Sequence, residues 1–270
     1  MIKARFTGSS YRVETDTLHL VSSDQRAIEG FDRGASAYER GRPGYPKEAV
    51  DWICERLQIG RASTVVDLGA GTGKFARLIA PTGARLYAVE PSAGMREELK
   101  KAVPKATVLD ATAQAIPLPD GFADTITAAQ SFHWFATERV LAELQRVLRP
   151  EGGLALIWNR RDLTDPLQLA LEQIIARYRG RTPAHENDRW MDTMRATSRF
   201  SPIGQQDFSH EQALDRAGLI DRVLSISFVA ALDQAERDLV AEQIDTTAGE
   251  AEEFRLPYQT QAYLFKRVQF

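Results

Sequence analysis

Residues Val65 to Lys74 read Val-Val-Asp-Leu-Gly-Ala-Gly-Thr-Gly-Lys, an apolar run that passes straight into a turn with three glycines. Glycine tolerates positive φ and lets a ligand approach the backbone, so Gly69, Ala70, Gly71 and Gly73 predict a strand-to-helix turn wrapped around a nucleoside cofactor. Asp67 decides which cofactor. An acid inside an apolar strand is costly to bury unless something hydrogen-bonds it, and the amino group of a bound ligand does so. This favours S-adenosylmethionine over a dinucleotide. A nicotinamide fingerprint starting at Gly69 needs glycine where the chain has Lys74. A phosphate-binding loop ending at Gly73-Lys74 needs glycine at Leu68 and a hydroxyl at Phe75.

Arg85 to Glu90, Arg-Leu-Tyr-Ala-Val-Glu, is a short β-rich run whose closing acid stands about 20 residues beyond the turn. In a doubly wound sheet the second strand lies beside the first, so an acid at its tip reaches the ribose hydroxyls of a nucleoside held at the first turn. Glu90 is the ribose candidate, with Pro91 directly after it.

Around this pair the chain alternates. A helical pattern begins at Lys47, after Pro43, Gly44 and Pro46, with Val50, Trp52, Ile53 and Leu57 on one face. Strands are expected near 64–68, 85–90, 106–109, 123–129 and 153–158, separated by helical patterns, which argues for parallel βαβ units. Residues 160–215 break the alternation: Leu167 to Tyr178 reads as helix, Arg179 to Asn187 as loop and Trp190 to Phe200 as helix, an insertion expected to cap the pocket. Val223 to Ala230, a helix near Gln234 to Ile244, and Tyr258 to Val268 would then complete seven strands. The fold class is α/β, a doubly wound Rossmann-like seven-stranded sheet with a helical cap. Its parts are an N-terminal arm at 1–28, a cofactor-binding core at 29–160, the cap at 161–215 and the rest of the sheet at 216–270.

Open α/β sheets place ligands at the carboxyl ends of their strands, and the fourth strand ends in Gln130-Ser131-Phe132-His133-Trp134-Phe135. Phe132, Trp134 and Phe135 are expected to wall a dry pocket, with Gln130 within reach of the cofactor's amino group or the acceptor. His133 is the candidate base, because an imidazole takes a proton near neutral pH; a carboxylate acceptor needs none, whereas a phenol, alcohol or carbon acid does. Arg160 and Arg161 follow the fifth strand, and a guanidinium there suits an acidic acceptor. Tyr38, Arg42 and Tyr45, in the proline-rich segment before the first helix, are candidates to close over the cofactor and meet substrate.

Val65 to Gly73, Glu90-Pro91-Ser92, Ala113 to Asp120, Phe132 to Phe135 and Leu148-Arg149-Pro150-Glu151-Gly152-Gly153 together resemble the class I S-adenosylmethionine-dependent methyltransferases. The resemblance covers roughly residues 30–160, and the ending Leu256-Pro257-Tyr258 to Arg267 is similar to the C-terminal strand of the branch that contains trans-aconitate methyltransferase-like enzymes. It implies an antiparallel last strand, Asp67 and the glycine turn on the methionyl end, and Glu90 on the ribose. It also implies Met95 against adenine, Thr112 with Ala113 at the adenine edge, and Tyr38 to Tyr45 bordering the active site. Many relatives carry Asp where this chain has Thr112, so an adenine contact there would come from a hydroxyl or the backbone.

The composition is that of a one-domain enzyme: 270 residues, 43% hydrophobic, with a formal charge of -3. That charge gives no general electrostatic reason to bind nucleic acid. A lone Cys54, no apolar run at the start and none near the roughly 20 residues that span a bilayer predict a cytoplasmic protein that neither forms an internal disulfide nor enters a membrane. His19, His185 and His210 show no metal-ligand spacing, so no metal is expected. The charges from Ala235 to Glu253 read as a solvated helix face. The expected function is methyl transfer from S-adenosylmethionine to an oxygen, or else a carbon or nitrogen, of a small molecule, by a monomer or homodimer. A silent S-adenosylmethionine-binding protein and a nicotinamide-dependent reductase are the alternatives.

Overall fold

The computed structural model describes residues 37–179 and 189–269. The arm at 1–28, His19, His185 and most of the loop expected over Arg179 to Asn187 lie outside the described residues. Strands β1 (Thr64–Leu68), β2 (Arg85–Val89), β3 (Thr107–Leu109), β4 (Ala123–Ala129), β5 (Leu148–Arg161), β6 (Phe200–Asp215) and β7 (Glu253–Arg267) form one sheet in the order β3-β2-β1-β4-β5-β7-β6. The first five run parallel, and β7 runs antiparallel to both β5 and β6. The strand order reverses between β1 and β4, which opens a crevice at their carboxyl ends.

Every residue of β1 is buried, as a central parallel strand covered on both faces requires. On one face Val66, Leu68, Ile126, Leu154 and Trp158 pack with Val140, Leu141 and Leu144 of a helix over Glu138–Val147. On the other, Val65, Ile157 and Leu264 meet Val50 and Ile53 of α1 (Lys47–Arg56) and Ala76 and Ile79 of α2 (Ala76–Ile79). Each of these Val, Leu and Ile side chains, fully buried, contributes about 1.5–3 kcal/mol. Between β2 and β3 lies α3 (Ala93–Ala102), opened by Ser92, whose hydroxyl accepts from the Met95 N–H at 3.2 Å. The Glu138–Val147 helix, α4, is capped likewise by Thr137.

Beyond β5 the chain departs from the sequence expectation. Helices α5 (Pro166–Ala176) and α6 (Arg189–Ala196) bear out the two helical readings there. The stretch that follows within the expected cap, Phe200–Asp215, is instead the sixth strand. Val223 to Ala230, expected as that strand, lies in the end of α7 (Arg216–Leu224) and in α8 (Ser227–Ala230). With α5 and α9 (Gln234–Ala248), α7 buries Leu171, Leu219, Val223 and Ile244 against Leu256 and Tyr258 of β7, so this third cluster covers the carboxyl end of the sheet. The acids Glu236, Asp238, Glu242 and Asp245 on α9 are exposed. Among the described residues no helix is long and apolar enough to cross a membrane.

Candidate active site

The turn after β1 takes the left-handed conformations its glycines permit, with φ of 62° at Gly69, 57° at Gly71 and 84° at Gly73. The Gly69 and Ala70 amides both donate to Val89 O, at 2.9 and 3.1 Å, which ties the turn to the tip of β2. A Cβ at Gly69 would come within 2.7 Å of Ser131 Cβ, so only glycine lets β1 and the end of β4 approach this closely. Gly73 packs on Leu99 of α3 and lines neither of the two cavities described below, which makes its part in the turn a packing one.

Glu90, just beyond β2, is 7% exposed, and its carboxylate accepts from the Gly71 amide at 2.8 Å and the Ser92 amide at 2.9 Å. Gly69, Gly71, Glu90, Pro91, Met95, Thr112, Ala113 and Gln130 line one cavity together with Trp134 and Phe135, which brings together most residues the sequence indicated. Met95 is 2% exposed and forms part of its apolar wall, while Thr112 is exposed at its rim. Arg146 on α4 holds the loop that carries Ala113, donating to Leu118 O at 2.8 Å and Ile116 O at 3.0 Å.

A second, smaller cavity shares Tyr38, Gly69 and Gln130 with the first and is lined by Asp67, Ala70, Arg42 and Tyr45. Thr72 and Lys74, which sequence reasoning passed over as ligand neighbours, line it too. Asp67 is 1% exposed; its Oδ1 accepts from Thr127 Oγ1 at 2.7 Å, and its buried Oδ2 has no hydrogen-bond partner. Burial raises its pKa to about 7, helped by the Glu90 charge and opposed by the Thr127 bond; the Ala76 amide lowers it without reaching hydrogen-bond geometry. Gln130, with φ of 59°, is a non-glycine residue in the left-handed region at the tip of β4, a conformation that costs energy and collects at ligand sites.

Residues 37–41 are helical and cover the smaller cavity. Glu39 anchors them to the turn, accepting from Thr72 Oγ1 and Arg77 Nη2 at 2.6 Å each, while Lys74 Nζ donates to Glu39 O at 2.6 Å. Burial works against the Glu39 charge, yet these partners hold its pKa below the usual range. Asn159 Nδ2 donates to Gly44 O at 2.7 Å, and Tyr45 meets Phe75 edge-on at 5.2 Å. Burial pushes the Tyr38 and Tyr45 hydroxyls above their ordinary pKa.

Three sequence expectations need correction. Phe132 is fully buried between Phe135 and Trp190, a core residue and not a pocket wall. His133 lines neither cavity, and its Nδ1 accepts from the Trp158 indole at 3.3 Å. That bond occupies the lone pair a base would use and assigns the ring proton to Nε2 in the neutral form. Arg160 lies on the Trp158 face of β5 and reaches Gln261 Oε1 at 3.4 Å, away from both cavities.

These residues fit S-adenosylmethionine. An orphaned buried carboxylate oxygen of Asp67 lies at the smaller cavity and could take an ammonium, the Glu90 carboxylate stands at the tip of β2 on the wall of the larger one, and Met95 with Ala113 offers an apolar wall for a base.

A model of the methyltransferase domain matches residues 66–156. A methyltransferase-like protein of Schizosaccharomyces pombe is 33% identical over 248 residues, 89% of this chain and 96% of that protein. The chain belongs to the methyltransferase family. A Mycobacterium tuberculosis methyltransferase is 36% identical over 198 residues, 73% of this chain and 76% of the other. A solved structure assigned as a type II methyltransferase, from Anaeromyxobacter dehalogenans, shares the fold at a TM-score of 0.61 and 21% identity, covering 83% of this chain and 97% of that one. As a class I methyltransferase the protein uses S-adenosylmethionine as methyl donor.

Proposed function

We propose that this methyltransferase acts on a small organic acceptor, and that the acceptor presents an oxygen already able to attack, a carboxylate before a hydroxyl. The observation that carries this reading is the Trp158–His133 hydrogen bond, which takes the candidate base out of service. S-adenosylmethionine, when bound, supplies a methyl group on a sulfonium that is activated toward in-line attack. Alignment and exclusion of water are then the protein's contribution, and orientation alone can be worth effective molarities of about 10⁵ M or more.

In this reading Asp67 takes the donor's ammonium, Glu90 its ribose hydroxyls, and Met95 with Ala113 its base, while Gly69, Ala70, Gly71, Pro91, Thr112 and Gln130 shape the walls. Tyr38, Arg42 and Tyr45 close the slot, and Trp134 bounds the acceptor side. The restraint of residues 37–46 by Glu39 and Asn159 supports a small acceptor, since it holds this segment over the smaller cavity. Radiolabelled methyl transfer to matched carboxylic acids and phenols tests this. Methyl esters formed from acids support the reading, and methylation of phenols alone, at a rate that collapses in His133→Asn, contradicts it.

A further inference from the structure

Two polar residues are buried between β5 and β7, next to the apolar pair Ile157 and Ala262. Asn159 is 5% exposed, and Thr260, directly opposite it in the antiparallel register, is fully buried. An amide and a hydroxyl are costly to bury unless each is hydrogen-bonded, and here the bonds run in one direction. Asn159 Nδ2 donates to Gly44 O at 2.7 Å, and Gly44 stands between Pro43 and Tyr45, which both line the smaller cavity.

A carbonyl oxygen only accepts, so Gly44 fixes the Asn159 amide with Nδ2 toward the cover and Oδ1 toward β7. That Oδ1 accepts from Thr260 Oγ1 at 2.6 Å, which uses the one hydroxyl proton. The contact of Thr260 Oγ1 with His210 Nδ1 at 3.2 Å therefore has the ring as donor. His210, on the edge strand β6, carries its proton on Nδ1, and its Nε2 is buried without a partner. Burial lowers the pKa of this ring and outweighs the Gly44 carbonyl, which raises it, so the imidazole is neutral at neutral pH. Asn159 has a second tie to the site: its carbonyl accepts from Gln130 Nε2 at 3.3 Å, and Gln130 lines both cavities.

We propose that Asn159, Thr260 and His210 are positioning residues for methyl transfer, a directed chain of hydrogen bonds from His210 through Thr260 and Asn159 to Gly44 that seats Pro43 and Tyr45 over the donor's slot. This rests on the reading of residues 37–46 as the cover of that slot. None of the three residues lines either cavity, so they act through Gly44 and Gln130.

Hydrogen–deuterium exchange of the full chain, read by mass spectrometry, and stopped-flow release of S-adenosylhomocysteine, read by tryptophan fluorescence, make the test. Wild type is compared with Thr260→Val, Thr260→Ser and His210→Leu. In Thr260→Val, exchange over residues 38–46 is expected to quicken about tenfold or more, the worth of a buried hydrogen bond, while exchange over Thr64–Leu68 stays within about twofold of wild type. Release of S-adenosylhomocysteine is expected to quicken about tenfold as well, and Thr260→Ser, which restores the hydroxyl, to bring both back to within about threefold of wild type.

The proposal is overturned if residues 38–46 exchange as in wild type in both Thr260→Val and His210→Leu. It is overturned equally if Thr260→Ser restores nothing, since the hydroxyl is then not the acting group, or if 38–46 and Thr64–Leu68 quicken alike, the mark of a role in general packing. Those outcomes leave the reading of the cover standing. Faster exchange over 38–46 with unchanged release of S-adenosylhomocysteine, or a wild type that does not bind it, contradicts that reading and the proposal with it. Should Thr260→Val fail to fold, His210→Leu, on the edge strand, carries the same comparison, with His210→Asn, whose amide replaces the Nδ1 donor, as its rescue.

Discussion

Thr127 on β4 stands opposite Asp67 on β1 in the parallel register, and its hydroxyl satisfies one oxygen of that carboxylate at 2.7 Å while the other is left buried without a partner. The strand pairing thus places a half-satisfied acid on the wall of the smaller cavity. Asp67→Ala is expected to weaken S-adenosylhomocysteine binding by about 2 kcal/mol, the worth of a charge-assisted hydrogen bond, as read by calorimetry at pH 8.

The same acid makes the unliganded protein pH-sensitive. Its folded pKa of about 7 exceeds the 3.8 expected of an unfolded aspartate, so folding favours the protonated form. The stability this group contributes is full below about pH 3.8 and is lost as the pH rises through 7. Asp67→Asn imitates the protonated acid and is expected to melt several degrees above wild type at pH 8, with the difference shrinking toward pH 5. Equal melting temperatures at pH 8 would show that the buried charge costs nothing.

His133→Asn is expected to keep at least about half of wild-type turnover on a carboxylic acid, because the ring holds Trp158 and does not receive the acceptor's proton. The pH profile of kcat between 5.5 and 7.5 should keep its shape in the variant. A fall of about a hundredfold with loss of an ionisation near 6.5 would restore the histidine as base.

Gly69→Ala places a methyl group against Ser131 at a φ of 62°. It is expected to cost about 1–3 kcal/mol of stability and to weaken nucleoside binding with it. Urea unfolding measures the first effect, and a variant as stable as wild type would mean that the turn relaxes freely.

The parts of the fold that rest on strong local chemistry were legible in the sequence. The glycine turn, Glu90 and Met95 fall in one cavity because short βα connections fix their places relative to β1 and β2. The sixth strand was not legible. Phe200–Asp215 is an edge strand whose residues are mostly exposed or half-buried, with Pro202 and Gly204 at a register shift, so its period-2 signal is weak. Val223 to Ala230 alternates like a strand, yet its apolar residues are drawn into the cluster of α5, α7 and α9, where tertiary burial outweighs pattern. Parity along β5 separates Arg160 from Arg161: the first lies on the Trp158 face, the second bonds Glu172 at 2.5 Å on the side of α5.

The most direct test of the account is the proton balance of S-adenosylhomocysteine binding at pH 6, from calorimetry in buffers of different ionisation enthalpy. With the Asp67 pKa at about 7 in the free protein and the ligand's ammonium demanding a carboxylate, release of nearly one proton is predicted, vanishing in Asp67→Asn. Binding without proton release in the wild type would contradict the assignment of Asp67 to the methionyl end.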